Sequence, residues 1–481
     1  MKSYSPLSFY LRILGVSLFV ALLGLAPYQL TAEKLLDKAN RAIQAGDSQT
    51  AADSLARAAV YYPWRYELNI DAGRYTFSAN DPQSTILYLE RPGTVSHLSV
   101  KDILLLGDAY ARTGNSAMAV AIWKRTIELG DTIEATQRLA DLYLEKKDYP
   151  AAAGYLQQLV IFDPSRNQLY YQIGLLYAVS DPPKALPFLV QATDMDPIDA
   201  PHAKALYDKI RTAALFDLPA YTSLIVGRQL ADWGEWQMAW AAFSTAVTIK
   251  PDYADAWALF SEAKQQVTIQ ETGAASGLGL SELERAIQLD SHSVLVNTLM
   301  GIYWERQGDY AQAEQYMLHA INTSPEDPYL YSELANIYSK SGDLPTAQAT
   351  YEKAIELTPR DPVFYRQLAQ FALDNQIQIR ALALPAARKA LIIDPKDANS
   401  LDVMAQVMLM LLDYHSAERF SMSAVQSDPT YAPAYLHLGT ACLYEGKSEL
   451  AHEWLSKAIT VEPNSWVAAQ ATRLLEYYFP N

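Results

Sequence analysis

A period of about 34 residues runs through nearly the whole chain, and a period of that size leaves few folds open. Its clearest marks are Ser291, Pro325, Pro359, Pro395, Pro429 and Pro463, which stand 34, 34, 36, 34 and 34 residues apart. Earlier Asp-Pro or Lys-Pro steps occur at Pro164, Pro197 and Pro251. Equal increments of chain predict a solenoid, in which each unit buries its apolar face only against its neighbours.

Each unit reads as two packed helices. In the unit that starts at Val294, Met300 and Gly301 precede Trp304 by one helical turn and share a face with it. Gly308 and Asp309 interrupt the pattern, glycine ending one helix and aspartate capping the next. Ala313, Met317 and Ala320 then form the apolar stripe of a second helix, which Pro325 closes. The unit from Pro328 repeats the scheme with Leu334, Ala335, Gly342, Ala347, Tyr351, Ala354 and Pro359. The unit from Ala432 does so with Leu438, Gly439, Gly446, Ala451, Leu455, Ala458 and Pro463. Together these residues resemble the tetratricopeptide repeat, Trp-x2-Leu-Gly-x2-Tyr, Ala-x3-Phe, Ala and Pro. The resemblance implies an all-α fold, a right-handed superhelical solenoid of about a dozen helix-turn-helix repeats.

Breaks in the period suggest a division of the chain. An N-terminal segment, 1–31, precedes a repeat block over 32–197. Extra residues over 198–219 read as an added helix and a hinge, before a second block over 220–465. Residues 466–481 read as a capping helix over the last exposed apolar face. Gly273, Gly277 and Gly279 fall in an overlong stretch between Lys264 and Leu283, read as a flexible turn between the two helices of one unit.

Composition excludes more than it selects. With 54 acidic against 38 basic residues, a net charge of -16 gives no general field for binding nucleic acid. The lone Cys442 excludes an internal disulfide and falls on a packing face, where a buried, inert thiol is expected. Ile13 to Ala26 carries no charge, and Lys2 and Arg12 precede it. That pattern is read as an uncleaved membrane anchor over residues 13–31, single-pass, with the repeats on the non-cytoplasmic side. A cleaved signal, giving a secreted or periplasmic protein, is the alternative.

No catalytic constellation emerges, so a non-enzymatic protein without metal or cofactor is expected. Ala441 to Ser448, with Lys447, fits a permissive phosphate-loop pattern, but a working loop follows a strand and opens a helix. Here the same residues read as a repeat helix, its turn and the next helix. The histidines are scattered and form no His-Glu-x-x-His pair.

What remains is a surface for protein or peptide partners. The resemblance assigns a groove to defined positions of each first helix. It places there Tyr329, Ser332, Asn336, Ser339 and Lys340, then Arg366, Gln370 and Asp374, then Asn399, Asp402 and Gln406. Asn and Gln suit a peptide backbone, and Lys340 and Arg366 would select an acidic side chain or terminus. Two known groove types do not fit. Ser332 stands where the chaperone-tail clamp needs lysine, and Leu299, Glu333, Gln367, Val403 and His437 replace the asparagine ladder of the O-linked N-acetylglucosamine transferase arrays. The leading expectation is a membrane-anchored scaffold. An accessory subunit of an envelope glycan or secretion enzyme is the alternative, and a nucleotide-binding enzyme using Lys447 a further one.

Overall fold

Most turns between paired helices are built by two residues. The first takes a left-handed backbone and the second, usually aspartate, caps the helix that follows. Gly308 has φ 78° and Gly342 φ 90°, and the next residues, Asp309 and Asp343, accept the backbone N–H of Gln312 and Thr346. Asp47, Asp81, Asn115, Asp148 and Asp413 cap second helices in the same way. At one turn the left-handed residue is Leu412, φ 62°, with its side chain exposed. A side chain in that conformation costs about 1–2 kcal/mol. Leu412→Gly is therefore expected to raise stability by about 0.5–1 kcal/mol, after the entropy glycine adds to the unfolded chain, read as a higher melting temperature.

The computed structural model describes residues 28–130, 132–195, 198–275 and 277–480, and among these it contains helices and turns only. The chain splits into two compact units that meet in sequence at Leu218 and Pro219. The first unit opens with a helix through residues 28–45, paired with Ser48–Tyr61. Glu67–Ser78 with Pro82–Leu89, Val100–Arg112 with Ser116–Glu128, Thr132–Glu145 with Tyr149–Phe162 and Asn167–Ser180 with Pro182–Met195 follow. Ala200–Ala214 ends this unit, packed on Pro182–Met195.

The second unit pairs Pro219–Asp232 with Trp236–Ile249, Ala254–Thr272 with Leu280–Leu289 and Val294–Arg306 with Tyr310–Thr323. It continues with Pro328–Ser341 and Leu344–Leu357, Pro362–Asp374 and Leu384–Ile393, Ala398–Met410 and Tyr414–Ser427, and Ala432–Tyr444 and Ser448–Val461. Trp466–Tyr478 comes last.

Within a pair, a small residue on the first helix receives a large one from the second. A methyl group on Gly227 would lie 2.5 Å from the Phe243 ring, and one on Gly439 2.8 Å from Leu455. Gly107 and Gly174 make the same room for Trp123 and Leu189. Ala313, Ala347 and Ala451, on second helices, are fully buried.

Three details differ from the sequence reading. Much of the overlong stretch after Lys264 lengthens a helix, because nothing before Gly273 breaks Ala254–Thr272. Gly273, φ 73°, then ends it. The 36-residue step between Pro359 and Pro395 is absorbed by a π-helical turn, Ile379–Ala383, entered through left-handed Gln376 and Gln378. The third is a correction to the expected single-pass placement outside the cytoplasm. Among the described residues no helix is long and apolar enough to cross a membrane. Residues 13–27 of the expected span lie outside the described residues, and 28–31 belong to the helix through 28–45. That helix carries Glu33, Lys34, Asp37 and Lys38 and buries Ala32 and Ala39 as part of the first pair.

Candidate functional site

Successive first helices of the second unit are joined by a ladder of polar side chains about one repeat apart. Arg306 donates to both oxygens of Glu262 at 2.7 and 2.8 Å, and Lys340 pairs with Glu305. Ser332 donates to Gln367 Oε1 at 2.7 Å, and Asn375 Nδ2 to Ser339 at 3.0 Å. Further along, Arg366 meets Asp397 at 2.5 Å, Gln370 donates to Gln406 at 3.4 Å, and His437 Nδ1 lies 2.6 Å from Asp402. Helical repetition produces this row: one face of each first helix recurs in register with the next, so side chains of matching position meet.

Two open cavities lie on this row. One, of about 240 Å³, is lined by Ser332, Glu333, Asn336, Gln367, Gln370 and Asp374, with Tyr351 and Phe371 as its aromatic wall. The other, of about 190 Å³, is lined by Arg366, Gln370, Asn399, Gln406 and Tyr431. Gln370 belongs to both. Of the residues the sequence reading assigned to this face, Ser332, Asn336, Ser339 and Asp374 line the first cavity, Arg366, Asn399 and Gln406 the second, and Gln370 both.

The other three residues of that group sit differently. Tyr329 is exposed, its ring edge-on to Phe364 at 5.1 Å, outside both cavities. Lys340 points to Glu305 and lines neither. Asp402 is fully buried, accepting from Gln406 Nε2 at 3.1 Å besides its contact with His437. Ser332, though it lines a cavity, is itself 4% exposed and donates its hydroxyl inward. Glu333, Gln367 and Tyr351 line the first cavity without having been expected there. The first two occupy the position noted only for lacking asparagines, and their recurrence one repeat apart was the available signal.

Charge on this face differs from the expected selection of an acidic ligand. Both cations meant to select it are already engaged, Lys340 by Glu305 and Arg366 by Asp397. Asp397 is held below its usual range by Ser400 and the Arg366 guanidinium, against the opposing effect of burial. Glu333 is the reverse case. Burial first, and then the Glu305 carboxylate, raise its pKa, while Lys340 and Arg306 offset only part. Among the described residues no hydrogen bond or ion pair reaches the Glu333 carboxylate or the Asn336 amide.

Two other sequence features lie away from this face. Ala441–Ser448 runs from the end of Ala432–Tyr444 through Gly446, φ 80°, into Ser448–Val461, with no strand before it. The Lys447 ammonium lies 2.6 Å from both Glu418 and Glu445, carboxylates that would repel a phosphate. Those carboxylates and His415 are close enough together to hold a metal ion, but the lysine supplies the positive charge there. Cys442 is fully buried, and burial with Glu418 pushes its thiol up to about 11.

The fold and this polar row define a helical-repeat protein whose side-chain chemistry lies along one face of its first helices. Three segments, residues 104–167, 305–371 and 432–465, match tetratricopeptide-repeat profiles. Those three segments carry tetratricopeptide repeats. Among solved structures the chain is similar to yeast Tom70, at 14% identity over 93% of this chain and 95% of that one, TM-score 0.46. It is also similar to the Cut9-Hcn1 hetero-tetramer of APC/C, at 13% identity over 92% and 96%, TM-score 0.40. A third likeness, at 18% identity over 40% of this chain and 97% of the other, TM-score 0.29, is to YrrB, described as a TPR protein with an unusual peptide-binding site. No curated protein matches the chain.

Proposed function

We propose that the chain is a non-catalytic scaffold whose second unit holds an extended segment of a protein partner along Pro328–Ser341, Pro362–Asp374 and Ala398–Met410. The observation that carries this reading is the row Asn336, Gln370 and Gln406, one amide per repeat, along two cavities that meet at Gln370. A peptide backbone offers donors and acceptors alternately, and a carboxamide answers both. The Asn336 amide spends neither capacity within the protein. An accessory subunit of an envelope glycan or secretion enzyme would use the same face, with the bound segment supplied by the catalyst.

We take 32–197 and 220–465 as the two repeat blocks, joined through 198–219 and ended by 466–481. In support, Ala200–Ala214 buries Leu206 and Ile210, and Trp466–Tyr478 buries Val467 and Ala471, each covering an apolar face that a terminal repeat would otherwise expose.

The test is binding of the full chain to a fluorescent, degenerate nonapeptide library. Replacing Asn336 and Gln370 together by Ala is expected to weaken binding by on the order of 2 kcal/mol. The melting temperature should stay nearly constant, because both residues are only partly buried and neither is part of the apolar packing. Unaltered binding by a folded double mutant would contradict the reading.

A further inference from the structure

The cavity between Pro328–Ser341 and Pro362–Asp374 contains more negative charge than the protein neutralises. Glu333 comes from the first of these helices and Asp374 from the second. Around them the cations are committed: Arg306 to Glu262, Lys340 to Glu305 and, further along, Arg366 to Asp397. Among the described residues, Asp374 is held by hydrogen bonding only to the neutral Gln370 amide, at 2.7 Å. Both carboxylates act on one phenol, since Glu333 and Asp374 add to burial in raising the pKa of Tyr351. Tyr351 packs its ring against Phe371 at 5.3 Å, which gives the cavity an aromatic wall beside its carboxylates.

We infer that this cavity takes one cationic side chain, Lys or Arg, of the bound segment, with its charge between Glu333 and Asp374 and its stem along Tyr351 and Phe371. The inference rests on the groove reading above and adds its specificity. A cavity of about 240 Å³ is below the size usual for a small-molecule ligand and suits a single long side chain. An ammonium or guanidinium supplies donors to the two carboxylates, and an aromatic wall attracts a cation as well as packing an alkyl stem. The Asn336 carbonyl and the Gln370 Oε1 accept any donor left over. A carboxylate would meet like charge at every turn.

The cavity carries a cost of its own. Glu333 has a folded pKa raised above its usual 4.5 by burial and Glu305. Its stabilising proton is fully held below 4.5 and lost as pH rises through the higher folded value, above which the folded state bears a charge that Lys340 and Arg306 only partly offset. A cation from the ligand removes that penalty. Glu333→Gln is therefore expected to melt at a higher temperature than the parent at pH 7, the difference closing below pH 4.5, while binding the cationic ligand less well. A residue with a purely structural role would not move these two readouts in opposite directions.

The experiment uses the full chain and nonapeptide pools fixed at the central residue as Lys, Arg, Gln or Glu. The parent should prefer the Lys and Arg pools over Gln by on the order of tenfold and reject Glu. Glu333→Gln and Asp374→Asn should each lose most of that preference and keep binding to the Gln pool. The preference should weaken as pH falls through the raised Glu333 pKa, in the setting of Glu305, Arg306, Lys340, Tyr351 and Asp374, and Glu333→Gln should flatten that dependence. Equal binding of all pools, or preference for Glu, overturns the inference and leaves the groove standing. Binding of no pool overturns both.

Discussion

Truncating Phe243 to Ala should cost the second unit about 3–5 kcal/mol, the range for emptying a well-packed aromatic site. Phe243 is 1% exposed, and its ring fills the space that Gly227 leaves open on the facing helix. The gap is flanked by the helices Pro219–Asp232 and Trp236–Ile249, whose rigid repeat geometry limits collapse into it. Contacts in a repeat array run only between neighbours, so the damage should be graded. Hydrogen exchange should lose protection first in the pair holding Phe243 and in Ala254–Thr272 next to it, with Ser448–Val461 affected last. A uniform loss across the whole unit would contradict the quasi-linear picture.

Asp402→Ala should cost about 3 kcal/mol or more, because it strips the partner from a buried polar cluster. Asp402 is fully buried, and His437 Nδ1 at 2.6 Å and Gln406 Nε2 at 3.1 Å both aim at it. Burial and this carboxylate also hold the Tyr431 hydroxyl well above its usual pKa. Urea unfolding is the measurement. Asp402→Asn, which keeps an acceptor for His437, should recover part of the loss, and His437→Ala should add little once Asp402 is gone. Fully additive effects of the two changes would show that the contact contributes nothing. The role is packing of Ala398–Met410 against Ala432–Tyr444, beneath the polar row of the first helices.

The repeat was legible because its signals are local. Gly308–Asp309 and Gly342–Asp343 specify a left-handed turn and an N-cap without reference to anything distant. Ala313 and Ala347 recur one repeat apart, both fully buried. The 36-residue step was visible as a length, but its accommodation by a π-helical turn was not, since nothing in Ile379–Ala383 demands one. The face of the first helices was also legible, because a helical position has a fixed direction. The state of its charges was not. Lys340 and Arg366 look free in sequence, and their pairing with Glu305 and Asp397 depends on side chains 35 and 31 residues away. Glu333 was passed over for the converse reason: an unpaired carboxylate is conspicuous only once its neighbours are known to be paired elsewhere. Residues 28–31 misled because an apolar run before them hides the charged, amphipathic helix they lead into.

Hydrogen–deuterium exchange of the full chain, free and saturated with the Lys-fixed nonapeptide pool, tests most directly that the first helices of the second unit hold a partner segment. Added protection is expected over Pro328–Ser341, Pro362–Asp374 and Ala398–Met410, with Tyr310–Thr323 and Tyr414–Ser427 unchanged. Protection confined to second helices, such as Tyr414–Ser427 and Leu384–Ile393, would contradict the account.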